Sequence, residues 1–201
     1  MNILILFAHP RFEASVVQKE LLAAISGIEG IDIRDLYSLY PDFAIDVEAE
    51  KSALLAHDLV VFQHPFYWYS IPAVMKEWLD LVLEFNWAYG PNGTALRGKF
   101  MMNAVSTGGD AEAYAPQGRN RFSLEHLLSP LNQTAHLCGM GWLRPFIVYS
   151  GRRMPRSDRL AVIESYRALL QDLRDQRIDP HSLLADGDDD PIALTTDGVS
   201  R

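Results

Sequence analysis

The strongest constraint on this 201-residue chain is a pair of short apolar runs, Asn2-Ile3-Leu4-Ile5-Leu6-Phe7 and Asp58-Leu59-Val60-Val61-Phe62-Gln63. A strand with one face in water alternates apolar and polar residues. These runs do not alternate, so each suits a strand buried on both faces, as in a parallel sheet covered by helices. Parallel neighbours are joined by crossovers, and crossovers are usually helical. The two runs are therefore read as the first and third strands of a layered α/β domain.

The segments around them supply the remaining elements. After Ser15, Val17, Leu21, Leu22 and Ile25 recur at helical spacing up to Gly27, with Gly30 just beyond, where helix stops favour glycine. Residues 31–36 alternate, as a strand near an edge does, and residues 47–56 fit a short helix. Pro72 sits in the first turn of a strongly amphipathic helix over 73–82, with Val74, Trp78, Val82 and Phe85 along one side. Residues 99–106 read as a fourth strand, 121–136 as a helix and 143–149 as a fifth strand. Residues 158–176 read as a closing helix on Leu160, Ile163, Tyr166, Leu170 and Leu173. Pro145 cannot donate to a ladder, so the fifth strand belongs at an edge, where a doubly wound, five-stranded parallel sheet of order 2-1-3-4-5 puts it. Residues 1–180 are expected to form one domain and 181–201 an acidic, mobile C-terminal tail.

Composition narrows the partners. Residues 186–201 hold five Asp and one Arg, which is half of the formal net charge of −8, and no Lys/Arg cluster stands elsewhere. Nucleic acid and a bare anionic membrane surface, which need clustered cations, are set aside. The lone Cys138 can close no internal disulfide and no multi-cysteine metal site, which points to the cytoplasm. No segment approaches the ~18–20 apolar residues of a membrane span, and no cationic flank opens a secretory signal. His57, His126, His136 and His181 read as surface or capping residues, and no pair has metal-ligand spacing. Asp186, Asp188, Asp190 and Asp197 imitate part of a calcium loop, but Pro191 stands where that loop needs glycine.

In a doubly wound sheet the ligand sits beyond the carboxyl ends of the strands near the switch point, here between the first and third. Three loops meet there. Residues 8–18 join the first strand to the first helix, whose free N–H groups favour an anion; Ser15 and Gln18 can donate to a phosphate, and His9 can add a neutral or charged donor. The alternative is that Ser15 only caps the helix and His9-Pro10 only turns the chain. The loop His64-Pro65-Phe66-Tyr67-Trp68-Tyr69-Ser70-Ile71-Pro72 carries four consecutive aromatics, which cannot all face inward. They suit a flat tricyclic ring, a dimer interface, or an aromatic minicore under the loop. The loop Ser106-Thr107-Gly108-Gly109-Asp110 has paired glycines that let the backbone approach a ligand closely, or it is an ordinary strand-ending turn. Trp78, Phe85, Trp87 and Tyr89 fit either core or a dimer contact.

Several stretches together resemble the flavodoxin-like NAD(P)H:quinone oxidoreductase family, and most closely its bacterial branch of ancillary subunits of glutathione-regulated potassium-efflux systems. They are Ala8-His9-Pro10 with Ser15, Asp35-Leu36-Tyr37, Leu39-Tyr40-Pro41-Asp42-Phe43 and Gln63-His64-Pro65 with Trp68-Tyr69-Ser70-Ile71-Pro72. Trp87-Ala88-Tyr89-Gly90, Gly93-Thr94-Ala95-Leu96, Thr107-Gly108-Gly109 and Cys138-Gly139 complete the set. The likeness runs from residue 2 to about 176.

The resemblance implies a homodimeric flavoprotein that carries FMN, with FAD as the alternative, and takes NAD(P)H as co-substrate and a quinone as acceptor. It places flavin contacts on His9, on Ser15, Val16, Val17 and Gln18, on Pro65, Phe66, Tyr67, Trp68 and Tyr69, and on Ser106, Thr107, Gly108 and Gly109. It gives Tyr114, with Gly108 and Gly109, the catalytic task of offsetting charge on the reduced flavin. Two positions depart from the family pattern: Asn120 stands in place of a histidine, and Gln18 in place of an asparagine. A second function implied by the same resemblance is a regulatory subunit on the inner face of the membrane, docked on a potassium-efflux antiporter. A one-electron flavodoxin carrier fits the aromatic loop poorly.

Overall fold

The computed structural model describes residues 1–185. Its strands are β1 (Ile3–Phe7), β2 (Ile31–Asp35), β3 (Leu59–Pro65), β4 (Phe100–Ser106), β5 (Gly141–Trp142) and β6 (Phe146–Val148). Its helices are α1 (Val17–Ile25), α2 (Leu36–Leu39), α3 (Val47–Ala56), α4 (Ala73–Val82), α5 (Leu124–Leu137) and α6 (Arg156–Arg174). The sheet order is β2-β1-β3-β4-β5, every pairing is parallel, and β6 also pairs with β4.

Every residue of β1 and β3 is buried, as the unbroken apolar runs require. Because successive side chains of a strand point to opposite faces, the runs divide between two cores. Leu4, Leu6, Val60 and Phe62 join Val74 and Trp78 of α4 and Leu128 of α5 on one face. Ile3, Ile5, Leu59 and Val61 join Leu21 and Ile25 of α1 and Tyr166, Leu170 and Leu173 of α6 on the other. Each fully buried Leu, Ile or Val contributes about 1.5–3 kcal/mol, so the two interleaved sets are the main stabiliser of the sheet.

A buried carboxylate pins the first face. Glu50 on α3 has no solvent exposure and accepts from the Arg34 guanidinium of β2, from the Tyr40 hydroxyl at 2.5 Å and from the Trp78 indole N–H at 2.8 Å. A buried charge is tolerable when it is paired and its lone pairs are filled.

The structure departs from the sequence reading at four places. The expected fifth strand, 143–149, is broken: Pro145 lies between β5 and β6, since it has no N–H to donate and biases the residue before it. Residues 181–185, expected to be tail, instead cover this edge: Arg144 N–H donates to Leu183 O, Ala185 N–H donates to Trp142 O, and Leu184 bridges Leu143. Covering an edge strand removes its unpaired ladder groups from other chains. The rest of the expected tail, 186–201, with its aspartates, lies outside the described residues. Helix α2 was not foreseen; Asp35 makes it by accepting from the N–H and hydroxyl of Ser38. Finally, β3 runs on through His64 and Pro65, which the sequence reading placed in the loop. Among the described residues no helix is long and apolar enough to cross a membrane.

Candidate functional site

The register brings the strand ends to one level. Phe7 stands beside Asp35 and Gln63, Pro65 beside Ser106, and Ser106 beside Val148, so the loops after β1, β3, β4 and β6 emerge together. Between them lies an open cavity of about 360 Å³ lined by His9, Arg11, Ala14, Ser15, Val16, Val17, Pro65, Phe66, Tyr67, Ser106, Thr107, Gly108, Gly151 and Arg152. That is within the rough 300–1,000 Å³ range of small-molecule sites.

The first loop builds the anion end. The Ser15 hydroxyl accepts from the Gln18 N–H at 3.2 Å, so it does cap the helix, while Ser15, Val16 and Val17 themselves line the cavity at the start of α1. Amides of a first helical turn have no intrahelical partner and carry a partial positive charge. His9 is nearly buried and its Nδ1 accepts from Arg11 N–H at 3.1 Å. Burial, reinforced by the positive charge of Arg152, holds the imidazole below its usual pKa of 6.5, so His9 is a neutral donor through Nε2.

Gln18 is a correction. Its side chain does not line the cavity but is fully buried beneath it. Its amide nitrogen donates to His64 O at 3.0 Å and to the Ser106 hydroxyl at 2.9 Å, and its oxygen accepts from Gln63 Nε2 at 3.0 Å. Gln63 in turn accepts from the Tyr166 hydroxyl at 2.9 Å. The residue expected to bind phosphate therefore braces the floor under Ser106.

The second loop separates its four aromatics. Phe66 is buried, with its ring 6.2 Å from that of Tyr114. Tyr67–Ser70 is a tight turn closed by Ser70 N–H to Tyr67 O at 3.1 Å, and both central residues have positive φ, 51° at Trp68 and 63° at Tyr69. Such φ values suit glycine or asparagine, so two aromatics there are strained. The turn leaves Trp68 93% exposed, with Tyr67 and Tyr69 about half exposed. The minicore alternative holds for Phe66 alone.

The third loop is a cradle. Thr107 Oγ1 donates to Gly109 O at 2.7 Å, and Thr107 N–H donates to Val148 O at 2.9 Å. A Cβ placed on Gly108 would meet nothing within 4 Å, whereas one on Gly109 would stand 3.2 Å from the Tyr114 ring. Gly108 thus borders open space and Gly109 seats Tyr114. The Tyr114 phenol is held protonated, burial being the main cause of its raised pKa. A second cavity of about 260 Å³ adjoins the first, sharing Phe66 and Gly108 and lined further by Trp68, Tyr69, Gly109, Tyr114, Arg119 and Asn120. Asn120 thus stands beside Tyr114, where it can donate or accept a hydrogen bond but cannot titrate; Tyr69 already donates to it at 3.4 Å.

Sequence reasoning missed Arg152, Gly151 and Arg119. The signal available for the first two was position alone, since Gly151-Arg152 lies on the turn after β6, a strand that ends on the same side of the sheet.

The cavities lie beyond the carboxyl ends of the strands beside the switch point, which is where doubly wound α/β domains take their ligands. A family model described as flavodoxin-like fold matches residues 1–172, and the chain belongs to that family. It is 46% identical over 153 residues to the glutathione-regulated potassium-efflux system ancillary protein KefG of Pectobacterium carotovorum, covering 76% of this chain and 84% of that one. Among solved structures, general stress protein 14 of Treponema denticola in complex with FMN is 34% identical with a TM-score of 0.79, covering 88% and 99% of the two chains. An NADPH-quinone reductase from P. pentosaceus is 29% identical with a TM-score of 0.77, covering 84% and 97%. A structure described as a thermophilic tryptophan halogenase from S. violaceusniger is 44% identical with a TM-score of 0.81, covering 83% and 97%.

Proposed function

We propose that this protein is an FMN-dependent NAD(P)H:quinone oxidoreductase working by a ping-pong mechanism, as a homodimer. The observation that carries the reading is the adjacency of the two cavities, which share Phe66 and Gly108 as walls: an anion end at the start of α1 and a ring-lined end between Phe66, Gly108 and Tyr114. The residues present fit a flavin mononucleotide: neutral donors at His9 and Ser15, free first-turn amides, and open space over Gly108. The FMN bound to the T. denticola relative and the quinone reductase named among the neighbours support the same reading.

When bound, FMN supplies two-electron hydride chemistry. The chain supplies position and charge. Ser15, Val16 and Val17 would hold the phosphate, and the Gly108 and Gly109 backbone would face the ring edge where negative charge develops. Tyr114, protonated at neutral pH, would donate a hydrogen bond there. NAD(P)H and then the quinone would stack in turn on the open face of that ring, with Trp68 and Tyr69 at the cavity mouth and in the subunit contact.

The test is the absorption spectrum of the purified protein, identification of the released cofactor, and steady-state oxidation of NADH and NADPH with a soluble quinone. Flavin absorbance, FMN on release and parallel double-reciprocal lines are expected. A protein that stays colourless when supplied with flavin overturns the reading. Because one neighbour is described as a halogenase, the assay includes tryptophan and chloride; a halogenated product would overturn the quinone assignment.

The name of the KefG relative favours a second reading, a regulatory subunit docked on a potassium-efflux antiporter at the inner face of the membrane. Co-purification with such a transporter and faster potassium efflux in its presence are the expected results.

A further inference from the structure

The turn after β6 had no part in the site as read from the sequence. Gly151 on that turn is buried, and a Cβ placed on it would stand 3.2 Å from Cγ2 of Val17, the first residue of α1, and 3.7 Å from the Thr107 carbonyl oxygen. Its N–H donates to that carbonyl at 3.0 Å. The turn is therefore clamped between the start of α1 and the third loop. The next residue, Arg152, reaches the wall of the cavity that Ser15, Val16 and Val17 line.

Its guanidinium is exposed and forms no ion pair with a carboxylate of the described residues, whereas Arg159 farther along the chain is paired with Glu20 at 2.5 Å. We propose that Arg152 is an anion ligand of this site, which with Arg11 supplies the cationic charge for a phosphate monoester on the first turn of α1 and so makes the site prefer phosphorylated over unphosphorylated flavin. The inference rests on the flavin reading above and adds a residue to it.

Charge balance argues for it. A phosphate monoester carries about −1.5 to −2 at neutral pH, and a helix N-terminus offers roughly half a positive charge. Ser15 is neutral, and burial keeps His9 neutral as well. Within the first loop the remaining cation on the cavity wall is Arg11, in a chain of net charge −8 that repels anions at long range. Arg152 makes up the deficit, and its planar fork matches two phosphate oxygens as an ammonium does not.

The test measures binding to flavin-free protein by quenching of flavin fluorescence, with FMN and riboflavin titrated separately. The proteins are wild type, Arg152→Ala, Arg152→Lys, and Arg167→Ala, which removes an exposed α6 charge outside the cavity lining. Arg152→Ala should weaken FMN by roughly tenfold or more and riboflavin by less than about twofold, with Arg152→Lys between. Its FMN affinity should also depend less steeply on salt, and Arg167→Ala should match wild type. Equal loss for both flavins in Arg152→Ala would show that the residue only shapes the turn, and unchanged FMN affinity would show an idle surface arginine; either overturns the proposal alone. Wild-type protein that binds FMN no better than riboflavin overturns it too. Wild-type protein that binds neither flavin overturns the flavin reading itself and the proposal with it.

Discussion

The Gln18 carboxamide donates to the Ser106 hydroxyl at 2.9 Å, joining the first turn of α1 to the last residue of β4 beneath the cavity. Through Gln18 and Gln63 the link continues to the Tyr166 hydroxyl on α6, so one buried chain of hydrogen bonds ties two helices and two strands to the site floor. Such networks are costly to leave half satisfied. Tyr166→Phe keeps the ring but strands the Gln63 carbonyl oxygen in the core. It should cost about 1–3 kcal/mol in urea unfolding. Gln18→Asn, whose shorter amide cannot span both His64 O and Ser106, should cost about 1 kcal/mol and also weaken flavin binding. Unchanged stability in both variants would remove the network from the account.

The burial of Gln18 is legible in the spacing of its helix. Residues 18, 21, 22 and 25 fall on one helical stripe, and a polar residue on an apolar stripe faces the core. The sheet itself was legible because β1 and β3 do not alternate, a pattern with few structural meanings. The break at Pro145 was half legible: proline announced a disturbed ladder, but the cover supplied by residues 183–185 depends on contacts far apart in the chain. Helix α2 rests on one aspartate cap, a signal too local to stand out. Of the site, the three loops adjacent to recognisable strands were found, and Arg152 and Arg119, held by turns without a motif, were not.

The Trp68–Tyr69 turn should trade stability for function. Two positive-φ aromatics cost of order 1–3 kcal/mol each, and Asn-Gly is the favoured pair for a turn of this shape. Replacing Trp68-Tyr69 by Asn-Gly should raise the unfolding free energy of the isolated chain by about 1–2 kcal/mol. The same variant should lose flavin affinity and, in sedimentation velocity, self-association. A variant that is less stable and still binds flavin normally would contradict the assignment of strain to this turn.

His64 gives the fold a defined acid limit. It has no solvent exposure, and burial holds it below the ordinary value of 6.5 against its hydrogen bonds to Asn103 Oδ1 and the Pro65 carbonyl, which raise it. In the unfolded chain it takes up a proton as pH falls through 6.5, while the folded chain does so only at lower pH, so the unfolded state binds more protons in that interval. Stability from this residue is therefore complete above 6.5 and is lost as pH falls from there toward the folded value; His9, also lowered, acts in the same direction. Urea midpoints measured from about pH 8 to about pH 5 should fall less steeply for His64→Gln than for wild type. Parallel slopes would contradict this account.

The paired glycines separate binding from folding. At Gly108 an added methyl meets nothing within 4 Å, and its φ is not positive, so Gly108→Ala should leave the unfolding free energy unchanged or raise it by about 0.4–1 kcal/mol. If a flavin lies over this residue, the same methyl intrudes on the ligand, and affinity should fall by the equivalent of about 1–3 kcal/mol. At Gly109 the methyl would stand 3.2 Å from the Tyr114 ring and 3.3 Å from Ala113 Cβ, so Gly109→Ala must push Tyr114, whose ring also packs on Phe66 and Tyr149. That variant should lose stability and flavin affinity together. Thermal unfolding and flavin titration of the two proteins distinguish the roles without any catalytic assay. A Gly108→Ala protein that binds flavin as tightly as wild type would mean that no ring occupies the space above the third loop, and the site would have to be sought elsewhere.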